Sequence, residues 1–156
     1  MTVTHSYDVV ETALQTILQG VSGLSTSVKL SDYSLLDNGT AQFIVLQPDS
    51  FDSDQNDAWG RDVKHWNILA EVFQKYTKET ETMTNFRSLR TAIINELEKY
   101  PTLNNAAGVL GRTFSGEGGV INVTDKNNPT LIYYKMQTFR VVVTQEVTDI
   151  TGGEFA

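Results

Sequence analysis

The stretch from Asp62 to Tyr100 constrains this chain most, because a two-residue hydrophobic period there gives way to a helical one. Trp66, Ile68, Ala70 and Val72 alternate with His65, Asn67, Leu69 and Glu71. Alternation rich in β-branched and aromatic residues predicts a strand with one well-buried face. The other face is mixed, since Leu69 and Phe73 share it with Glu71 and Lys75. After a short polar turn, Met83, Phe86, Leu89, Arg90, Ile93, Leu97 and Tyr100 recur at spacings of three and four. That spacing sets the apolar side chains on one helical stripe and leaves Arg87, Asn95 and Glu98 outside it. The hydroxyl of Thr82 or Thr84 is expected to cap the helix start by accepting from free backbone N–H groups. Pro101 ends it, because the residue before a proline is pushed away from helical angles. Such a helix needs a surface to bury its stripe, and the sheet face carrying Trp66 and Ile68 supplies one.

The rest of the chain reads around this unit. Ser6 is a good N-cap, and Asp8 in the first turn suits the helix dipole. Val10, Ala13, Leu14, Ile17 and Leu18 form an apolar stripe, and Gly20 is expected as a left-handed C′ residue. Val28 to Leu30 reads as a short edge strand. Asn38-Gly39 is a hairpin signal, and Ala41 to Leu46 reads as a central strand that Pro48 ends. Gln47 to Arg61 then reads as a long acidic loop, a length usually associated with function or disorder. Leu103 to Gly119 reads as an irregular glycine-bearing stretch, followed by a short strand from Gly119 to Val123 and a turn over Asp125 to Pro129. Leu131 to Val147 predicts a long strand, with Phe139, Val141, Val143 and Val147 on one face and Met136, Thr138, Arg140 and Val142 on the other. The tail from Asp149 to Ala156 is expected to be loosely ordered.

The fold class expected is therefore α+β: a mainly antiparallel sheet of four to five strands, two amphipathic helices on one face, and a long β-hairpin loop. At 156 residues the chain fits one domain spanning 1–156. Its hydrophobic share of 40% and mean hydropathy of -0.24 suit a soluble globular chain. No apolar run approaches the roughly 20 residues that span a bilayer, and Met1 to Ser6 show no secretory signal. The absence of cysteine excludes disulfides and thiolate metal sites. A net charge of -7 makes a duplex-binding surface a poor fit.

No catalytic constellation emerges. Asp52, Asp54 and Asn56 imitate the first ligands of a calcium loop, but Asp57 stands where the turn requires Gly and Val63 where a bidentate Glu is required. A solvated acidic segment is the simpler reading. His5 and His65 are too far apart in sequence to suggest a metal centre, and His65 fits the mixed sheet face. Ser115 to Gly119 is glycine-rich but leads into a strand, whereas a phosphate cradle needs a helix N-terminus. Nothing in the sequence pairs a nucleophile with a base. The expectation is a protein without enzymatic activity, metal or cofactor.

The element order resembles the tail terminator, or tail completion, proteins of long-tailed bacteriophages. The residues that carry the resemblance are the helix Tyr7 to Leu18, the strand Ala41 to Leu46, and the strand His65 to Tyr76 leading into the helix Thr84 to Lys99. The terminal strand Gln137 to Val147 completes it. The Gln47 to Arg61 loop fits the extended hairpin of that family. The resemblance implies a structural virion protein, assembled in the host cytoplasm. Such a protein forms a hexameric ring on the head-proximal end of the tail tube, stops tube growth and joins the head connector or stopper protein. DNA would pass through the ring without sequence-specific binding. Within that reading, the loop residues Asp49, Phe51, Asp52, Asp54, Asp57, Trp59 and Arg61 are candidates for docking on the tube or connector, since aromatics and Arg dominate interface energetics. Leu69, Glu71, Phe73, Lys75 and Arg140 are candidates for the seam between subunits. Another neck or tail component, such as a connector or a tube protein, is the alternative; a small ligand-binding or enzymatic α+β domain is a further one.

Overall fold

The computed structural model describes residues 7–55 and 61–148. Helix α1 (Tyr7–Gln19) leads to a short strand β1 (Val28–Leu30), a one-turn helix α2 (Ser34–Asp37) and strand β2 (Gln42–Gln55). Strand β3 (Arg61–Lys75), helix α3 (Glu79–Glu98), strand β4 (Val109–Thr124) and strand β5 (Ile132–Thr148) follow. The strands form one five-stranded sheet in the order β1-β2-β3-β5-β4. All its pairings are antiparallel except the short β1–β2 contact. The fold is thus α+β on a mostly antiparallel sheet, as the pattern predicts.

The helix-side face holds the main core. Leu14 and Ile17 of α1, Ile44 of β2, Trp66 and Ile68 of β3, and Phe86, Leu89, Ile93 and Leu97 of α3 are all buried in one cluster. Phe139, Val141 and Val143 of β5 complete it. Met83 and Tyr100, at the ends of the α3 stripe, are only half-buried.

Three local expectations are corrected. Helix α3 starts at Glu79, with Lys78 as an N-cap that makes no side-chain cap bond. Thr82 is instead fully buried, and its hydroxyl accepts from the backbone N–H of Thr77 at 3.0 Å. It pins the strand-to-helix turn from inside the helix, while Thr84 bonds back to the Thr80 carbonyl. Gly20 is not left-handed; a side chain there would press on the Glu96 carboxylate at 2.9 Å, so the position serves close packing against α3. Asn38-Gly39 makes no hairpin, because β1 and β2 run parallel and need a crossover between them. The pair closes α2: Gly39 has φ +68, and its N–H donates to the Leu36 carbonyl. The Ser6 cap and the tail from Asp149 lie outside the described residues.

Two longer stretches read as loops are strands. Pro48 does not end β2. Beyond Leu46 the β1 partner has stopped, so β2 becomes an edge, where proline is tolerated. The register shifts between Pro48 and Phe51, and pairing with β3 then resumes as far as Gln55 opposite Asp62. The Gln47 to Arg61 segment is therefore mainly the arms of a β2–β3 hairpin. Likewise, residues 109–119 belong to β4. They are held on the long β5 ladder with register shifts at Val109/Gly111 and Glu117/Ile121. Glycines and bulges hide a strand from periodicity, but an adjacent strand supplies the hydrogen bonds they need.

Candidate interaction surfaces

The β2–β3 hairpin brings several of the expected docking residues together. Phe51 is 53% exposed, and its ring lies 5.0 Å from that of Trp66. The Lys64 ammonium sits 5.4 Å from the Phe51 ring centroid, a cation–π contact. Trp66 is anchored from below: its indole N–H donates to Gln145 Oε1 at 3.0 Å, and Gln145 Nε2 donates to the Ala107 carbonyl at 2.7 Å. Asp52 and Asp54 stand in β2 opposite His65 and Val63, and Arg61 opens β3 opposite Thr148. Asp57 and Trp59 lie outside the described residues.

The outer face of the sheet divides in two. Toward α2 it is sealed. Phe43 and Phe73 stack with ring centroids 4.5 Å apart, and Tyr134 meets both edge-on. Leu35 and Leu36 of α2 pack over them. Phe73 is only 3% exposed and has no surface to offer a neighbour, so its place among the seam residues is corrected. The physical reason is α2, a short helix with no periodic signature that covers this patch. Burial holds the Tyr134 phenol above its ordinary pKa, and its hydroxyl donates to the Thr40 carbonyl.

The far half of the outer face lacks that cover. Leu69 is half-buried there. Arg140 pairs with Asp49 at 2.7 Å, joining one expected seam residue to one expected docking residue within the chain. Glu71 accepts from the Tyr33 hydroxyl, which itself accepts from Gln47 Nε2. Burial first, and the Glu71 carboxylate second, raise the Tyr33 pKa. Exposed Lys75 donates to the Gly39 carbonyl at 3.3 Å. His65 Nδ1 lies 3.1 Å from Thr144 Oγ1 on this mixed face, as its alternation predicts.

A groove of about 530 Å³ lies where α2 meets the β4–β5 hairpin, lined by Leu36, Lys75, Tyr76, Val123, Tyr133 and Tyr134 among others. The Tyr133 hydroxyl donates to Asp125 at 2.6 Å, which lowers the Asp125 pKa and raises that of Tyr133. The polar groups described here thus engage one another or the backbone, leaving a mainly apolar wall. Among the described residues no cluster of His, Asp or Glu is arranged to hold a metal ion. No described helix is long and apolar enough to cross a membrane.

Sequence reasoning missed the exposed apolar residues of the β4–β5 region. Leu110 is 55% exposed and Ile121 52%. Both sit at or beside register shifts, where the alternation that would have revealed a strand is broken.

No protein-family model matches the chain, and no curated protein matches it. Among solved structures it is similar to a chain of the virion of a native gene transfer agent particle. The TM-score is 0.49 and the identity 14%, covering 92% of this chain and 100% of that one.

Proposed function

We propose that this protein is a structural component of a phage-like virion. In this reading it forms a ring, hexameric by family resemblance, at the head-proximal end of a tail tube. There it stops tube growth and joins the tail to the head connector. The observation that carries the reading is the β2–β3 hairpin. Its outer half, from Gln47 to Gln55 and back from Arg61 to Leu69, runs past β1 and past the α2 cover. It carries Phe51 and the Asp-bearing end of β2 on a two-stranded arm. The element order supports the same reading, since it follows that of tail terminators.

In this role the hairpin meets the next ring of the stack, with Phe51 as an aromatic anchor. Its carboxylates pair with basic groups of the partner, or face the channel and keep DNA from adhering. The test is electron microscopy with native mass spectrometry, on the protein alone and mixed with the tube protein of the same particle. Closed rings of one size, free or at one end of the tubes, are expected. A protein that stays monomeric in both settings overturns the proposal.

A further inference from the structure

Among the described residues the sheet has two unpaired edges at the same end. On one side, β1 pairs only with Ile44 to Leu46, so among the described residues no strand pairs with the outer edge of β2 from Gln47 to Gln55, where Ser31 and Tyr33 engage the Gln47 side chain. On the other side, β4 ends the sheet along its whole length. The register fixes their relative height. Gln47 to Gln55 lie opposite Leu69 to Asp62, these lie opposite Arg140 to Val147, and Arg140 to Gln145 lie opposite Ser115 to Val109. The unpaired part of β2 and residues 109–115 of β4 therefore share one level. They also run in opposite directions, because three antiparallel steps separate them. By contrast β1, the third edge, is three residues long, and Gln15 Nε2 donates to its Val28 carbonyl at 2.8 Å, which blunts it.

We infer that β4 of one copy pairs antiparallel with the outer half of β2 of the next, carrying one sheet across the subunit boundary. The occupant of each edge is a second copy of this chain. Rotation about an axis along the strands keeps the two edges level. A head-to-tail contact of this kind closes into a ring when the rotation closes. Side chains mark the same seam. Phe51 stands level with Trp66, Val143 and Arg112, and Leu110 sits in the bulge between Val109 and Gly111. Each is more than half exposed in the single chain. Pairing the edges brings them within about two residues of each other, the reach of diagonal cross-strand neighbours. Unpaired strand edges with exposed apolar residues are a liability for an isolated protein, and pairing removes it. This inference rests on the ring reading above, moves its seam from the sheet face to the sheet edges, and reassigns Phe51 from the stack contact to that seam.

The chain has no cysteine, so a crosslinking test is clean. Ser50→Cys, beside Phe51, and Thr113→Cys, beside Arg112, are made singly and together at exposed positions, which leaves Phe51 and Leu110 in place. They are treated with a bismaleimide spanning about 8 Å, matched to the diagonal spacing, at the concentration where the unmodified protein assembles. The double variant is expected to give a covalent ladder that stops at one ring size, and each single variant to give none. Rings that form without crosslinking overturn the edge pairing and leave the ring reading standing. A ladder without an upper limit upholds the edge pairing and overturns the ring. Dimers from either single variant mean like edges pair with like, which overturns the inference. Monomers without crosslinks overturn both.

Discussion

Gln145 is fully enclosed, and both ends of its amide are used: one accepts from the Trp66 indole, the other donates to Ala107. The side chain links β3, β5 and the segment entering β4. Replacing it with Leu removes the acceptor that the Trp66 indole N–H uses and the donor that the Ala107 carbonyl uses. The expected loss is about 1–3 kcal/mol, the penalty for unsatisfied buried groups, measured as a fall in urea midpoint at unchanged slope. Trp66→Ala belongs to the same site and should cost about 3–5 kcal/mol.

Tyrosines set a second residue-scale expectation. Tyr33 and Tyr134 have pKa values raised in the fold, chiefly by burial. A raised folded pKa means that the associated stability is fully present below the unfolded value near 10.0 and is lost as pH rises through the folded value. Urea midpoints should hold steady up to about pH 10 and fall above it. Tyr134→Phe should make that fall shallower, at the cost of the hydrogen bond to Thr40, about 1 kcal/mol at neutral pH.

At the scale of elements, α3 shows how strand passes into helix without a conventional cap. Lys78 holds extended angles at the N-cap but offers a cation, which cannot accept from the first-turn N–H groups and opposes the helix dipole. Its ion pair with Glu81 is long, at 3.9 Å, and exposed, so it contributes little. Lys78→Asp should therefore stabilise the protein by about 0.5–1 kcal/mol. Thermal unfolding measures this, and a lowered Tm would show that the turn is fixed by Thr82 alone. Helix and sheet are tied further along by Lys135, buried on β5, which reaches Glu79 at 3.1 Å and Asn122 at 2.6 Å.

At the scale of the whole molecule, the two halves of the sheet differ in how they are covered. One half is sandwiched between the helices and the aromatic cluster under α2. The other extends as a hairpin and an edge strand with partly open faces. The Asp49–Arg140 pair braces this open half, with both side chains about one-third exposed. Arg140→Ala should cost only about 0.2–1 kcal/mol of monomer stability, less at high salt. A larger, salt-insensitive loss in denaturant titration would mean that the pair is shielded by more than the single chain shows.

The helix-side core was legible in the sequence because its signal is local. Leu14, Ile17, Trp66, Ile68, Phe86, Leu89, Ile93 and Leu97 each sit on a clear period of two or of three to four, Ile44 lies in a continuous apolar run, and all are buried together. The strand order, by contrast, depends on contacts between residues far apart in the chain. Pairing with β3 and β5 turned an acidic loop and a glycine-rich stretch into β2 and β4. The parallel placement of β1 made Asn38-Gly39 a helix end rather than a hairpin. The four residues of α2, too few for any period to show, decided that Phe73 is core and Leu69 is not. Periodicity determined which side chains seek burial; the tertiary pairing alone decided which of them found it within one chain, because edges, bulges and short covers have no local signature.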